Sequence, residues 1–264
     1  MIPDTATKIA CLDYDVPPLT PPTSPTDWQQ QWGAYSGSCP ETTKFELDHT
    51  ILRKPPKDST HYLNSMHYTV SGTCTKEDPI IGTGGISRRA EISSHVQATD
   101  AVEGDERWYY LAIRPEVGTL PPEVNYFLVT QWHPKTNRSP ALSINFHQSD
   151  VEIGETHDAP LKLGSLKNGT WTDYVVHVKF SKYAINKNQV TGWVEAWENG
   201  VKKVGGSSPC VKPPQVAVLS QVSCVVPFPA LPDKSVFIKQ GIYADMDATG
   251  TQQVWHDGMT VWKP

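Results

Sequence analysis

The stretch WTDYVVHVKF at residues 171–180 and the stretch GWVEAWENG at residues 192–200 decide the fold class of this chain. Both are short and rich in β-branched and aromatic residues, which favour strands over helices. The first carries large residues on both faces, and the second runs into Asn199-Gly200, a strong signal for a tight hairpin turn. We expect both stretches to be strands of the framework.

Similar short segments continue outward along the chain, separated by clusters of Gly, Pro, Asn and Asp. About ten strands without intervening helical periodicity predict an all-β fold, a β-jelly roll. Its architecture is the concanavalin A-like sandwich, in which two antiparallel sheets pack face to face. The predicted strands are residues 44–52, 65–70, 88–96, 108–113, 125–133, 141–147, 171–180, 192–198, 236–243 and 253–262.

Length and composition agree with one large β domain. The 264 residues include 23 Pro, 18 Gly, 9 Trp and 10 Tyr, and only 19% are charged. All-β sandwiches of this size commonly form one domain, which we place at residues 27–264 after an irregular, Pro-rich N-terminal segment at residues 1–26. No stretch approaches the roughly 18 consecutive apolar residues that span a bilayer, so we expect no membrane partner.

The cysteines predict disulfides. None of the five has the Cys-x-x-Cys spacing of a zinc site; they are Cys11, Cys39, Cys74, Cys210 and Cys224. Short separations favour bonds between Cys39 and Cys74 and between Cys210 and Cys224, with Cys11 free or paired outside the domain. Sequence alone leaves this connectivity open.

Two glycosylation sequons, like the cysteines, are typical of proteins from an oxidising, extracellular environment. Asn168-Gly169-Thr170 is a good acceptor sequence, whereas Asn137-Arg138-Ser139 is weakened by the proline that follows it. The start of the chain lacks the basic and apolar regions of a signal peptide. The cysteines and sequons nevertheless favour an oxidising compartment, and we expect a secreted, extracellular glycoprotein.

The net charge of −5 argues against nucleic acid as a partner, because such binding normally depends on an excess of Lys and Arg. It does not exclude an acidic polysaccharide, since a few cations focused in one cleft bind a polyanion whatever the overall charge. We expect a monomer that requires no cofactor and has no metal in its active site. A structural calcium ion is compatible with such sandwiches, although no ligand cluster in the sequence predicts one.

In three predicted strands, the side chains that point to one face are mostly polar. Each such set of polar side chains on one strand is called a polar row. In RRAEISSH, residues 88–95, alternation places four polar side chains on one face: Arg89, Glu91, Ser93 and His95.

The other two polar rows are shorter. Alternation joins Gln131 with His133 on one strand, and Lys239 with Tyr243 on another. Gly241 lies between Lys239 and Tyr243 and predicts room for a ligand close to the backbone. If the three rows adjoin on one sheet, they form a cleft with cations, an amide, an imidazole and a phenol.

These groups suit β-elimination of a uronic acid polymer. The reaction requires groups that neutralise the sugar carboxylate, a base that removes the proton on carbon 5, and an acid that protonates the leaving oxygen. Arg89, Gln131 and His133 have the chemistry for the first role. Tyr243 suits both proton transfers, because the nearby cations Lys239 and Arg89 favour its phenolate. In a β-1,4-linked glucuronate or mannuronate the proton and the leaving oxygen lie on the same side of the ring, so one group can serve both.

The three rows resemble, in order, motifs of the jelly-roll polysaccharide lyases, which include alginate lyases, heparin lyase I and the fungal glucuronan lyases. The resemblance implies that Arg89 and Gln131 bind the carboxylate, that His133 neutralises it or acts as base, and that Tyr243 is the acid or acid/base. The motifs are Arg89-Ala90-Glu91, Gln131-Trp132-His133 and Lys239-Gln240-Gly241-Ile242-Tyr243. The resemblance covers about residues 85–264.

Two departures bear on the substrate that the resemblance implies. Alginate lyases usually end the first motif with a second Arg, where this chain has Ser93, and carry a small aliphatic residue in place of Trp132. Endo-acting cleavage of β-1,4-glucuronan is therefore the leading expectation. An alginate or heparin-type lyase and a non-catalytic lectin-like carbohydrate-binding module are the alternatives. The additional candidates for substrate binding are Lys239, Glu91, His95, Asn145 and His147, whereas His177 and His256 are expected to be framework.

Overall fold

A computed structural model of the chain describes residues 2–12, 28–31, 43–48, 65–71, 87–94, 99–118, 120, 124, 126–134, 140–155, 158–180, 193–205, 235–245 and 250–264. Fifteen β-strands are assigned within these ranges. They are β1 (Thr7–Leu12), β2 (Trp28–Gln31), β3 (Thr43–Asp48), β4 (Ser65–Val70), β5 (Ser87–Ser94), β6 (Glu106–Glu116), β7 (Phe127–Pro134), β8 (Leu142–His147), β9 (Asp150–Glu155), β10 (Asp158–Ser165), β11 (Thr172–Lys179), β12 (Trp193–Glu198), β13 (Val201–Val204), β14 (Val236–Asp245) and β15 (Gln252–Lys263).

The strands form two antiparallel sheets. The seven-stranded sheet has the order β10-β9-β8-β7-β14-β5-β2. The eight-stranded sheet has the order β13-β12-β11-β6-β15-β4-β3, with β1 paired to the second half of β15. Trp132 of the first sheet packs edge-on against Tyr109 of the second, with ring centroids 5.2 Å apart, and both side chains are fully buried. The predicted all-β jelly roll of two facing sheets is confirmed.

All ten predicted strands occur, with ends shifted by a few residues. The predicted strand at residues 171–180 is β11 (Thr172–Lys179), which lies between β6 and β12. Asn199-Gly200 forms the turn into β13, with both residues at positive φ. The five strands that were not predicted are β1, β2, β9, β10 and β13.

The N-terminal segment was predicted to be irregular, and for residues 7–12 this is wrong. β1 pairs with β15 from Thr7 opposite Lys263 to Leu12 opposite Met259. It joins the sheet as a partly exposed strand, so its sequence lacks the clear apolar alternation that marks a half-buried strand. Residues 17–25, the Pro-rich stretch, lie outside the described residues.

The predicted disulfides involve Cys39, Cys74, Cys210 and Cys224, which also lie outside the described residues, as does the sequon at Asn137. The sequon residue Asn168 is described. Its Oδ1 accepts a hydrogen bond from the Val117 amide at 3.0 Å, and its Nδ2 donates to the Val117 carbonyl at 2.8 Å. Asn168 therefore ties the turn before β11 to the end of β6, while its glycosylation stays a prediction. No helix in the described part of the chain is long and apolar enough to cross a membrane.

His256 is a fully buried histidine of β15 and packs edge-on against Tyr68, with ring centroids 5.4 Å apart. Burial lowers its pKa from 6.5 to about 3, and the nearby Gly241 backbone opposes part of that shift. The unfolded chain therefore binds a proton that the folded chain excludes between about pH 6.5 and pH 3. Stability is fully present above pH 6.5 and is lost as the pH falls through this window.

We predict that His256→Leu makes stability less sensitive to acid. The native protein should lose about 2 kcal/mol through His256 alone between pH 6.5 and pH 5, at about 1.4 kcal/mol per pH unit. Urea unfolding at a series of pH values measures this slope. His147→Gln, at a half-exposed position, is the control and should leave the slope nearly unchanged. An equally steep slope in His256→Leu would contradict the assignment.

Candidate active site

The outer face of the seven-stranded sheet brings the three predicted polar rows together. Across the β5–β14 pair, Arg89 lies opposite Tyr243, and Glu91 lies opposite Gly241. Across the β14–β7 pair, Lys239 lies opposite Gln131. The face bearing these side chains is called the polar face below.

Glu91 is the centre of the polar face. One carboxylate oxygen accepts a hydrogen bond from Gln131 Nε2. The other lies 3.3 Å from Arg89 Nε and 3.9 Å from Lys239 Nζ. Glu91, Gln131 and Lys239 are buried, and Arg89 is partly exposed. Two cations surround one anion, so the cluster retains one excess positive charge.

The pKa of Lys239 reflects this arrangement. Burial lowers it below its usual value, the nearby Glu91 carboxylate raises it, and the Arg89 charge lowers it further. A buried ammonium group is costly unless it is paired. Glu91 therefore holds Lys239 in place, and we interpret Glu91 as a residue that positions the cations instead of the direct substrate ligand expected from the sequence.

Tyr243 lies beneath the Arg89 guanidinium, whose central carbon is 4.1 Å from the centre of the phenol ring. A cation over an aromatic ring is attracted to it and fixes the relative orientation of the two groups. On β14 the Tyr243 side chain is partly exposed. It is therefore an accessible phenol beside the charged cluster.

The sequence did not identify Tyr126, which packs against Tyr243 with ring centroids 5.0 Å apart and ring planes tilted by 40°. Counting by twos from Gln131 assigns Tyr126 to the opposite face. The register of β7 shifts between Leu128 and Thr130 relative to both β8 and β14. That irregularity reverses the alternation, which explains why the pattern did not reveal Tyr126.

His133 is an uncharged imidazole at neutral pH. Burial lowers its pKa from 6.5 to about 3, followed by the charge of Lys239, while a hydrogen bond to the backbone of Pro134 opposes the shift. The Nδ1 atom lies 2.7 Å from the Pro134 carbonyl oxygen. A carbonyl only accepts hydrogen bonds, so Nδ1 carries the proton and Nε2 has the lone pair.

Gly241 has a different role from the one predicted. Its φ of +138° is a conformation that favours glycine. A Cβ added there would overlap the carbonyl oxygen of Ala90 on β5. The close approach is therefore made by the neighbouring strand, and the expectation of space for a ligand is wrong. Gly241 allows β14 to pair with β5 in continuous register, while the register between β14 and β7 shifts at this point.

The other expected substrate-binding residues lie elsewhere on the sheet. Asn145 and His147 belong to β8, two strands from β14. The Oδ1 atom of Asn145 accepts a hydrogen bond from the Phe127 amide at 2.7 Å, and His147 Nδ1 lies 3.4 Å from Glu152 Oε1. Asn145 thus secures the start of β7, and half-exposed His147 is the better placed of the two to contact a ligand. His95 lies outside the described residues.

A metal centre has no candidate in the parts of the chain that the structure describes. They contain no group of three or more His, Cys, Asp or Glu side chains placed to hold an ion.

Comparison with known proteins identifies a family and structures of similar fold. The family model described as polysaccharide lyase matches residues 57–260. The endo-β-1,4-glucuronan lyase from the fungus Trichoderma reesei is similar in structure, with a TM-score of 0.55 and 15% sequence identity over 88% of this chain and 92% of that chain. The cellulose-induced protein Cip1 gives a TM-score of 0.51 and 14% identity over 90% and 92% of the two chains. No curated protein matches the sequence.

At these identities the structural likeness shows the fold alone, and the family is shown by the match to residues 57–260, which covers most of the chain. It agrees with the resemblance found in the three sequence motifs. The chain belongs to the polysaccharide lyase family.

Proposed function

We propose that this lyase cleaves β-1,4-glucuronan within the chain by β-elimination. The observation that carries the proposal is the excess positive charge of the Arg89, Lys239 and Glu91 cluster directly beside the accessible phenol of Tyr243. The likeness to the Trichoderma reesei glucuronan lyase and the Ser93 and Trp132 departures favour glucuronan over alginate. Alginate and heparin-type polymers are the alternative substrates.

Arg89, Gln131 and Lys239 neutralise the substrate carboxylate in this mechanism. Gln131 uses one amide hydrogen for Glu91, and the mechanism assigns its second to the substrate carboxylate. Arg89 and Lys239 supply charge from the same side. These interactions strengthen as the carbon 5 proton leaves and charge moves onto the carboxyl group, so they stabilise the transition state more than the bound substrate.

Tyr243 transfers the proton. Its phenolate takes the proton from carbon 5, and the electrons of that bond form the double bond between carbons 4 and 5. The bond from carbon 4 to the glycosidic oxygen breaks, and Tyr243 returns the proton to that oxygen. In glucuronan both positions face the same side of the ring, so one phenol serves both steps.

His133 does not neutralise the carboxylate by charge, because it is neutral. Its Nε2 lone pair instead makes it the second candidate for the base. Burial is the main cause of its low pKa, and Lys239 and Arg89 lower it further. A bound uronate carboxylate would offset the one excess positive charge of the cluster and so remove part of that shift.

Location and assembly are separate parts of the proposal. The cysteines and the sequon at Asn168 support a secreted, extracellular protein, and a monomer is proposed with it. An acidic polysaccharide outside the cell is the partner that fits this location.

Incubation with polyglucuronate should release unsaturated products, detected by their ultraviolet absorbance, faster than incubation with alginate or heparin. Size-exclusion analysis should show a rapid fall in polymer length, as internal cleavage requires. Faster release from alginate or heparin would contradict the assigned substrate. Failure to release unsaturated product from any uronic acid polymer would contradict the proposed reaction.

Replacement of single site residues should separate binding from proton transfer. Tyr243→Phe removes only a hydroxyl and should reduce kcat by a factor of at least ~100, the usual contribution of acid–base catalysis, with KM nearly unchanged. Gln131→Ala should lower kcat and raise KM, because the carboxylate partner acts in both the ground and transition states. Tyr110→Phe, on β6 of the opposite sheet, is the matched control and should behave as the native enzyme.

His133→Ala distinguishes the two candidate bases. A loss as large as that of Tyr243→Phe would assign the base to His133 and leave Tyr243 as the acid alone. A much smaller loss is expected if Tyr243 transfers both protons. A fully active Tyr243→Phe enzyme would contradict both versions of the mechanism.

A further inference from the structure

We propose that Tyr126 is a positioning residue that donates a hydrogen bond to the Tyr243 oxygen and stabilises the phenolate at that position. This inference rests on the proposed function in one respect, the use of the Tyr243 phenolate in proton transfer. It extends the site to a residue outside the three family-like motifs.

The two phenols and Arg89 form one cluster. Tyr126 contacts the Tyr243 ring at 5.0 Å between centroids, and the Arg89 guanidinium covers the same ring at 4.1 Å. Arg89 also acts on the ionisation of Tyr126. A positive charge and a second phenol therefore both lie against the Tyr243 ring.

Tyr126 has the properties of a permanent donor. Burial raises its pKa well above the usual value for tyrosine, and the interaction with the Tyr243 hydroxyl raises it further, as does the charge of Asp245. Tyr126 therefore keeps its proton over the working pH range. Of two adjacent phenols, the one that stays protonated donates and the one that ionises accepts.

The backbone holds Tyr126 in this place from both sides. Its carbonyl accepts a hydrogen bond from the Asp245 amide at 2.9 Å, two residues beyond Tyr243 on β14. The next amide, that of Phe127, donates to the Asn145 side chain on β8 at 2.7 Å. Tyr126 is thereby linked to β14 and β8 before β7 begins, and its distance from Tyr243 is set by the sheet.

The proposed mechanism gives the donor a defined task. Tyr243 begins and ends each cycle as the phenolate and is protonated only between the two transfers. A hydrogen bond to the charged oxygen increases the fraction of enzyme that has the phenolate at a given pH. The charged groups near Tyr243 include Arg89 on β5, which covers its ring, and Lys239 and Asp245 on its own strand, β14.

The test is a pH titration of the free protein followed by NMR. The tyrosines are labelled with ¹³C at the ring carbon that bears the hydroxyl, and the Tyr243 signal is assigned from its absence in Tyr243→Phe. In Tyr126→Phe the midpoint of that signal should move to higher pH by about one unit or more, as expected for loss of a hydrogen bond to a charged group. Tyr126 replaced by 3-fluorotyrosine, a stronger donor, should move it to lower pH. Tyr110→Phe is the control. An unchanged midpoint in Tyr126→Phe would overturn the proposal.

Activity measurements supply the second readout. In Tyr126→Phe the limb of the kcat profile that reports Tyr243 should move to higher pH in parallel with the titration, with KM nearly unchanged. A merely structural role would lower kcat by the same factor at every pH and leave the limb in place, which would overturn the proposal. The titration needs no substrate, so it tests the role of Tyr126 even if no polymer is cleaved. Failure to cleave any polymer would contradict the proposed function alone.

Discussion

The buried carboxylate of Glu91 is the constraint on which the polar face depends. It accepts a hydrogen bond from Gln131 on β7 and lies beside Arg89 on its own strand and Lys239 on β14. Three adjacent strands are therefore joined by one anion. Removing one partner of a buried charged group costs about 3–5 kcal/mol, because it leaves the others uncompensated. The cluster is stable only when all its members are present and in register.

The charge of this cluster also determines the chemistry around it. Lys239 and Arg89 together exceed the charge of Glu91, and the same two cations help to keep His133 neutral. A neutral imidazole has a lone pair that can take a proton but no charge with which to bind an anion, and the two cations disfavour its protonation until an anion offsets them. In the proposed mechanism the cations therefore bind the substrate carboxylate, and the phenol and the imidazole are the candidates for proton transfer.

Much of the site was predictable from the sequence because β5 and β14 stay in register along the motifs. Alternation correctly joined Arg89 with Glu91 and Lys239 with Tyr243, and the polar rows adjoin as expected. Alternation failed at Tyr126, because the strand irregularity near Leu128 reverses the face. It also failed to give the role of Gly241, since the approach of Ala90 depends on the pairing of two strands distant in sequence.

In the proposed mechanism the polar face binds a uronate with carbon 5 directed at Tyr243. A crystal structure of Tyr243→Phe with a bound glucuronan oligosaccharide tests this binding mode. A sugar carboxylate should lie within hydrogen-bond distance of Gln131 and Arg89, with carbon 5 facing the aromatic ring at position 243. An oligosaccharide bound away from this face, or with its carboxylate turned away from Arg89, would contradict it.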